Sequence, residues 1–304
     1  MVVGIVVAAL AVLLAAGYFA MNITLRRGKD LDPLVERTFQ RGVYAKNSGV
    51  LYESSRELAK YPSEDIEIQS FDGLRLHGRL LPREDAKGTI LLFHGYRSCP
   101  EGDFGCAVPL MRSLGYQVLL VDQRAHQKSE GRYITFGILE RQDALYWARA
   151  MAERFGEDHP LYLDGISMGA ATVLMAASLP LPASVRGIIA DSGFTAPKEI
   201  IGSVIRRLHL PAKPVLWLIN LWCRMLAGVS LGAYSAPEAM GHCGIPVLFV
   251  HGKADSLVPW EMTRKNYDAC QSEKTLLLVE KADHGESFLV DRVACETAMA
   301  AFLK

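Results

Sequence analysis

The sequence has no excess of either charge sign, because its 304 residues include 33 Lys and Arg and 33 Asp and Glu. Without a basic surplus, no global field favours nucleic acid as a partner. The chain also lacks any C-x-x-C pair or His/Cys cluster at metal-ligand spacing, so no metal site is indicated. Its six cysteines are scattered, and free thiols are the simplest account of them, although an even count would permit three disulfides in an oxidising compartment.

Residues 2–21 contain no charged side chain. As a helix rising about 1.5 Å per residue, this stretch covers roughly 30 Å, the thickness of the hydrocarbon core of a bilayer. A cleaved signal peptide is the alternative, since Ala15, Ala16 and Gly17 are small enough for a cleavage site. The positively charged region that such a signal needs is missing. We therefore predict a transmembrane anchor over residues 1–25.

Positive charges lie on one side of this stretch only. Arg26, Arg27 and Lys29 follow it directly, and no Lys or Arg precedes it. Because such charges mark the cytoplasmic end of a membrane helix, we predict a single-pass protein of the cell membrane with a cytoplasmic domain. Residues 26–62 show no clean period and are interpreted as a connector to a domain over residues 63–304.

Half of the residues are hydrophobic, enough for a sizeable core. A segment with alternating apolar residues turns at Asp72-Gly73, which predicts an antiparallel hairpin. Short apolar runs then alternate with helical stretches, and they indicate buried strands at 89–93, 117–121, 161–163, 185–190, 246–250 and 275–279. This rhythm predicts an α/β fold with a doubly wound, mostly parallel sheet whose polar loops gather at the carboxyl ends of the strands.

About fifty residues separate the predicted strand that ends before Asp191 from the one that begins at Pro246, far more than a usual βα loop. They predict a helical cap insertion at about 194–240, with two helices joined by a turn. Cap residues such as Trp217 or Trp222 would line an apolar acyl pocket. The alternatives are that the apolar faces of the cap dock on the core, or that its second helix dips into the membrane surface.

The stretch 161–177 combines a short apolar run, a G-x-S-x-G sequence centred on Ser167, and small apolar residues at helical spacing. In a strand, turn and helix of this kind the serine is strained and its hydroxyl is lifted off the sheet, while Gly165 and Gly169 prevent collisions. The backbone N–H of Met168 would then face an oxyanion that forms on a substrate carbonyl. The pattern predicts acyl transfer by Ser167.

A serine hydroxyl needs an imidazole to accept its proton and a carboxylate to orient that imidazole. Asp255 and His284 each follow a predicted strand further along the chain, and the order Ser167, Asp255, His284 is that of α/β-hydrolases. Asp191 also ends a strand and is the rival acid. The second oxyanion donor is expected to be the N–H of Tyr96, in the loop after the strand at 89–93.

The blocks HGYRS, DQRAHQKSEG, GISMG, ADSGF, HGKADSLVP and ADHGES, between residues 89 and 287, resemble the successive blocks of the α/β-hydrolase superfamily. The chain looks most similar to the bacterial membrane-anchored serine hydrolases known as serine aminopeptidase-like or Bem46-like. That resemblance implies ester hydrolysis by Ser167 through an acyl-enzyme, without metal or organic cofactor, and with Tyr96 and Met168 as oxyanion donors. Related sequences usually have glycine at Gln127, so the shape of that loop is left open.

Cleavage of small or acyl-chain carboxylic esters is the leading hypothesis. One alternative is hydrolysis of short peptides, which needs an acidic cluster for the free amine of the substrate; the mixed charges of the cap favour esters instead. The other is a non-catalytic binding module on a hydrolase scaffold, which usually lacks one of the three catalytic side chains. All three are present in this sequence.

Overall fold

The computed structural model describes residues 2–40 and 42–303. Met1, Arg41 and Lys304, which belong to the predicted anchor, connector and domain, lie outside the described residues. The centre of the molecule is an eight-stranded sheet with the order β1-β2-β4-β3-β5-β6-β7-β8. Its strands are β1 (Glu64–Gln69), β2 (Arg75–Leu81), β3 (Thr89–Phe93), β4 (Gln117–Val121), β5 (Leu161–Ile166), β6 (Val185–Asp191), β7 (Val247–Gly252) and β8 (Lys274–Val279).

Strand β2 pairs antiparallel with both β1 and β4, and the strands from β4 to β8 pair parallel. This arrangement confirms the predicted edge hairpin and the mostly parallel sheet. Helices cover both faces of the sheet. They are α1 (Val2–Leu25), α2 (Ser48–Leu58), α3 (Pro100–Phe104), α4 (Val108–Ser113), α5 (Glu140–Phe155), α6 (Met168–Ala176), α7 (Pro197–Arg207), α8 (Ala212–Leu226), α9 (Ala236–Met240), α10 (Trp260–Ala269), α11 (Ser287–Val290) and α12 (Arg292–Phe302).

Strand β3 shows why the core strands are legible in the sequence. All five of its residues are buried. Leu91 and Phe93 join the apolar cluster that includes α5 and α6. Ile90 and Leu92 join the cluster that includes α4 and α12. Because successive side chains point to opposite faces, a strand covered on both sides needs a continuous apolar run.

The segment predicted to be an anchor forms helix α1, and of the described residues this is the one helix long and apolar enough to cross a membrane. Most of its surface is exposed, but Met21 and Leu25 near its end are fully buried in the core. The Ile134 N–H donates to the Leu25 carbonyl oxygen at 2.6 Å, and the Arg27 N–H donates to that of Arg132 at 2.9 Å. The end of α1 is therefore built into the domain. Membrane location and orientation stay predictions.

The segment between α1 and the sheet contains two 3-10 helices (Glu36–Gln40 and Gly42–Asn47) and α2. It is tied to the domain by Glu286, which accepts hydrogen bonds from Lys46 Nζ at 2.7 Å and from Asn47 Nδ2 at 2.6 Å. The cap consists of α7, α8 and the short α9 between β6 and β7. Its two longer helices are joined by a short turn, as predicted.

Candidate active site

Ser167 occupies a strained turn between β5 and α6. Its φ of 57° and ψ of −112° lie where residues other than glycine are rarely found. A Cβ atom on Gly165 would overlap the backbone of Gly169, and one on Gly169 would overlap the Phe93 carbonyl. The Ser167 N–H donates to the Asp191 carbonyl oxygen at 2.8 Å. The turn is thus held on both sides, with the serine at its tip.

Ser167, His284 and Asp255 form a continuous chain of hydrogen bonds. His284 Nε2 lies 2.9 Å from Ser167 Oγ, and His284 Nδ1 lies 2.7 Å from Asp255 Oδ2. Since a carboxylate can only accept, Nδ1–H donates to Asp255 and Nε2 is left to accept from the Ser167 hydroxyl. Asp255 and His284 lie on the loops after β7 and β8, so the parallel sheet brings distant parts of the sequence together at one edge.

The surroundings of His284 and Asp255 shift their pKa values in opposite directions. Burial lowers the pKa of His284, but the hydrogen bond and negative charge of Asp255 outweigh burial and raise it above its ordinary value. Burial also raises the pKa of Asp255, yet hydrogen bonds from His251 and His284 hold it below the usual range. A carboxylate that stays ionised beside a more basic imidazole suits general-base chemistry.

His251 also contacts Asp255, although the sequence does not mark it as a functional residue. Its Nε2 lies 3.0 Å from Asp255 Oδ2 and 3.0 Å from the Val258 carbonyl oxygen. That carbonyl can only accept, so Nε2 carries a proton and donates to the carboxylate. His251 Nδ1 lies 2.7 Å from Thr263 Oγ1. The only signal in the sequence is the position of His251 at the end of a buried strand, which a packing histidine would share.

The backbone also holds Asp255. Its Oδ1 accepts from the N–H groups of Leu257 at 2.8 Å and Val258 at 2.7 Å. With His251 and His284 on Oδ2, both carboxylate oxygens have donors, and the side chain is completely buried. The carboxylate is therefore fixed in one orientation toward His284.

Asp191, the rival acid, does not accept the hydrogen bond of His284 Nδ1. Its Oδ1 accepts from Ser192 Oγ at 2.9 Å and from Ser287 Oγ at 3.2 Å. Burial raises its pKa, against the opposing influence of His251 and His284. The hydrogen-bonded partner of His284 Nδ1 is Asp255. Asp191 is a neighbouring carboxyl group whose negative charge helps to raise the pKa of His284.

The two expected oxyanion donors lie on the same cavity as Ser167. Met168 begins α6, where the first N–H groups of a helix have no acceptor within the helix. In the loop after β3, the Gly95 N–H donates to Asp103 Oδ2 at 2.6 Å, so Tyr96 carries the next backbone N–H. His94 is buried, with Nδ1 donating to the Gly95 carbonyl at 2.8 Å and Nε2 accepting from the Gln123 N–H at 3.2 Å.

The sequence model of the α/β hydrolase fold family matches residues 88–207, a region that includes the Tyr96 loop and the Ser167 turn. The Pyrococcus furiosus esterase Pf2001 superposes with a TM-score of 0.67 over 82% of this chain and 92% of that one, at 22% identity. This chain has the α/β-hydrolase fold. The chain is also 25% identical over 258 residues to the uncharacterized protein YqkD of Bacillus subtilis, covering 84% of this chain and 83% of YqkD. It is 29% identical over 193 residues to the lysophosphatidylserine lipase ABHD12 of Danio rerio, covering 62% of this chain and 48% of ABHD12.

A cavity of about 1280 Å³ opens above Ser167, larger than the roughly 300–1,000 Å³ common for small-molecule sites. The cap lines it with apolar side chains, mainly from α7: Ile200, Ile201, Val204, Ile205, Val215 and Ile219. The prediction that Trp217 or Trp222 lines the pocket is wrong. Trp217 is 65% exposed, and Trp222 turns to α1, where its Nε1 donates to the Leu14 carbonyl at 2.9 Å.

The loop that carries Gln127 has a defined shape. Gln127 adopts a φ of 45°, in the left-handed region that glycine adopts without steric strain. Its carbonyl accepts a hydrogen bond from the Arg27 side chain, and its Nε2 donates to the Leu31 carbonyl at 3.0 Å. The glutamine side chain thus links this loop to the segment that follows α1. Within the described ranges, no three His, Cys, Asp or Glu side chains are placed to hold a metal ion.

Proposed function

We propose that this α/β-hydrolase is a serine hydrolase that cleaves carboxylic esters through an acyl-enzyme. The observation that carries the proposal is the hydrogen-bond chain from Ser167 through His284 to Asp255, with a strained serine at one end and a fully buried carboxylate at the other. Ser167 acts as the nucleophile, His284 as the general base, and Asp255 as the group that orients the imidazole.

In the first half of the reaction, Ser167 Oγ forms a bond to the carbonyl carbon of the ester while its proton passes to His284 Nε2. The carbonyl electron pair moves to the oxygen, and the N–H groups of Met168 and Tyr96 stabilise the negative charge that develops there. Asp255 stays ionised and stabilises the imidazolium. The bond to the alcohol then breaks, and the departing oxygen takes the proton from His284.

In the second half, water gives a proton to His284 Nε2 as its oxygen attacks the acyl carbon. Collapse of this intermediate breaks the bond to Ser167 Oγ, which recovers its proton from His284. The products are a carboxylic acid and an alcohol, and each protein group ends in its starting state. The chemistry needs only the described side chains, two backbone N–H groups and one water molecule.

Ester substrates are favoured over peptides by the cavity and by the relatives. The cap contributes apolar side chains to the cavity, which suits an acyl group. Two of the similar proteins are named an esterase and a lipase. A peptidase would need a carboxylate for the substrate amine. Among the carboxylates that line the cavity, Asp103 accepts from the Gly95 N–H, Asp30 is paired with Arg27, and Glu286 is paired with Lys46. We further propose that α1 anchors the enzyme in the cell membrane with the domain in the cytoplasm.

A fluorophosphonate probe tests the proposal on the full-length protein in detergent. Wild type and Ser113→Ala, which removes an exposed serine on α4, are expected to be labelled and to hydrolyse p-nitrophenyl esters. Ser167→Ala is expected to fold normally, to escape labelling and to lose turnover. A folded wild-type protein that neither reacts with the probe nor cleaves any ester would instead support the binding-module alternative. Faster cleavage of aminoacyl p-nitroanilides than of esters would support the peptidase.

A further inference from the structure

The last turns of α1 form part of the wall of the active-site cavity. Ala20, Ile23 and Thr24 line the same cavity as Ser167 and His284. A membrane anchor joined through a free linker would leave its domain at a variable distance from the bilayer. Here side chains of the helix itself line the cavity, so the cavity lies at a fixed position along the helix axis.

Two side chains of the Tyr96 loop fasten this wall. The Tyr96 hydroxyl donates to the Thr24 carbonyl oxygen at 2.8 Å. Arg97 Nη2 donates to the carbonyl oxygens of Ile23 at 2.8 Å and Arg26 at 3.0 Å. The last carbonyl groups of a helix lack partners within the helix, so these bonds satisfy groups that otherwise need water.

Helix α8 of the cap packs against α1 further from the domain. Trp222 Nε1 donates to the Leu14 carbonyl at 2.9 Å, and the Tyr18 and Trp222 rings meet edge to face at 5.3 Å. Leu218 packs so closely on Gly17 that a Cβ atom there would lie 2.8 Å from Leu218 Cβ. These contacts set the position of α8 along the axis of α1.

That position is inside the bilayer if residues 2–21 fill the hydrocarbon core. Leu14 then lies about 10 Å from the nearer edge of the core, at 1.5 Å per residue. Helices that lie in a membrane interface bury their apolar face to about 5–10 Å. The contact between Trp222 and Leu14 therefore places α8 at the depth of an interfacial helix.

The free surface of α8 and of the turn before it has the composition of such a helix. Leu208, Leu210, Trp217, Met225 and Leu226 are exposed apolar residues. Lys213 and Arg224 are exposed cations on the same helix. Apolar side chains with a tryptophan and neighbouring Lys or Arg are typical of segments at the membrane interface. This surface, Leu208 to Leu226, includes a helix that packs on α1, and α1 itself exposes apolar side chains such as Leu13 and Phe19.

We propose that α8 and the turn before it lie in the bilayer interface beside α1, and that the cavity takes a long-chain acyl ester whose chain enters from the lipid between α1 and the cap. The inference rests on the proposed ester hydrolysis by Ser167 and on α1 spanning the membrane. The apolar wall from Ile23 across Val204 to Ile219 then contacts the acyl chain, while the ester carbonyl reaches Ser167. The substrate class is an amphiphile that resides in a membrane leaflet.

The test uses full-length protein in phosphatidylcholine vesicles and two substrates, soluble p-nitrophenyl acetate and vesicle-embedded p-nitrophenyl palmitate. The variant Trp217→Glu/Met225→Glu places carboxylates on the exposed face of α8 and leaves the cavity lining intact. Turnover of palmitate is expected to fall by about tenfold or more, while that of acetate stays within about twofold. Val293→Glu, on the exposed face of α12, is the matched control and should leave both rates unchanged. Unchanged palmitate turnover in the α8 variant would overturn the proposal.

Tryptophan fluorescence in vesicles of chain-brominated phosphatidylcholine measures contact with lipid independently of activity. If the glutamate variant loses turnover of both substrates, this measurement tests the membrane placement of α8. Bromine atoms are expected to quench Trp217, so Trp217→Phe lowers the quenched fraction, whereas Trp260→Phe on α10 does not. Equal quenching in wild type and both variants would sink the membrane placement. Ester hydrolysis without Trp217 quenching rejects this inference alone, and quenching without any ester hydrolysis rejects the proposed function.

Discussion

The Tyr96 hydroxyl donates a hydrogen bond to the Thr24 carbonyl oxygen, 2.8 Å away, and so connects the loop beside Ser167 to the end of α1. The ring of Tyr96 is stacked on that of Phe136, with centroids 4.9 Å apart. Because the Tyr96 backbone N–H is a proposed oxyanion donor, any freedom in this loop would weaken stabilisation of the transition state. The end of the predicted anchor therefore helps to hold the Tyr96 loop in the position that oxyanion binding needs.

Tyr96→Phe tests this support. The variant keeps the stacked ring and removes only the hydrogen bond to Thr24, so kcat is expected to fall about fivefold, the equivalent of roughly 1 kcal/mol, with little change in KM. Tyr133→Phe is the matched control, because the buried Tyr133 hydroxyl has no hydrogen-bond partner within the described chain. Equal kcat values for the two variants and wild type would show that the bond to Thr24 does not order the loop.

Substitution of the two carboxyl groups near His284 separates their roles. Asp255→Asn removes the charge that orients and stabilises the imidazolium, and kcat is expected to fall by roughly 10⁴ by analogy with serine proteases. Asp191→Asn leaves the bond from His284 Nδ1 in place and is expected to cost less than about tenfold. Steady-state kinetics with p-nitrophenyl acetate measures both. The larger loss in Asp191→Asn would identify Asp191 as the acid.

The pH dependence reports the protonation of His284. Only the neutral imidazole accepts the serine proton, so kcat/KM rises with pH through the pKa of His284 in the free enzyme. Burial lowers this pKa and Asp255 raises it by more, which puts the midpoint above the ordinary histidine value of about 6.5. In Asp255→Asn burial remains without the charge, and the midpoint is expected to move below that of wild type. A midpoint that stays in place would mean that Asp255 does not set the pKa.

His251 is proposed as a positioning residue that acts through Asp255. Hydrogen bonds to a charged group contribute about 1.5–3 kcal/mol, so His251→Leu is expected to lower kcat by about tenfold or more with KM nearly constant. In His251→Gln the side-chain amide can still donate to Asp255 Oδ2, and most of kcat should return. Thermal unfolding of both variants separates loss of stability from loss of orientation. Full activity in His251→Leu would remove His251 from the site.

The sheet and the order of the site residues follow from local sequence. Strands β3 and β4 were predicted with the bounds that the structure shows, because strands buried on both faces need unbroken apolar runs. The turn at Ser167 can also be predicted from the sequence, because the close approach of the backbone requires glycine at Gly165 and Gly169. The positions of Asp255 and His284 follow from the rule that parallel strands present their carboxyl ends at one edge.

Local sequence determined the elements of this protein, and only the tertiary structure decided which of their surfaces meet. The sequence makes Trp222 a candidate for the lining of the acyl pocket, but Trp222 contacts Leu14, and α7 supplies most of the apolar cavity wall. His251 donates to Asp255, although nothing in its neighbourhood of the chain distinguishes it from a packing histidine. The physical reason is that periodicity reports which face of an element is apolar. Which distant partner covers that face depends on packing and hydrogen bonds between residues far apart in the chain.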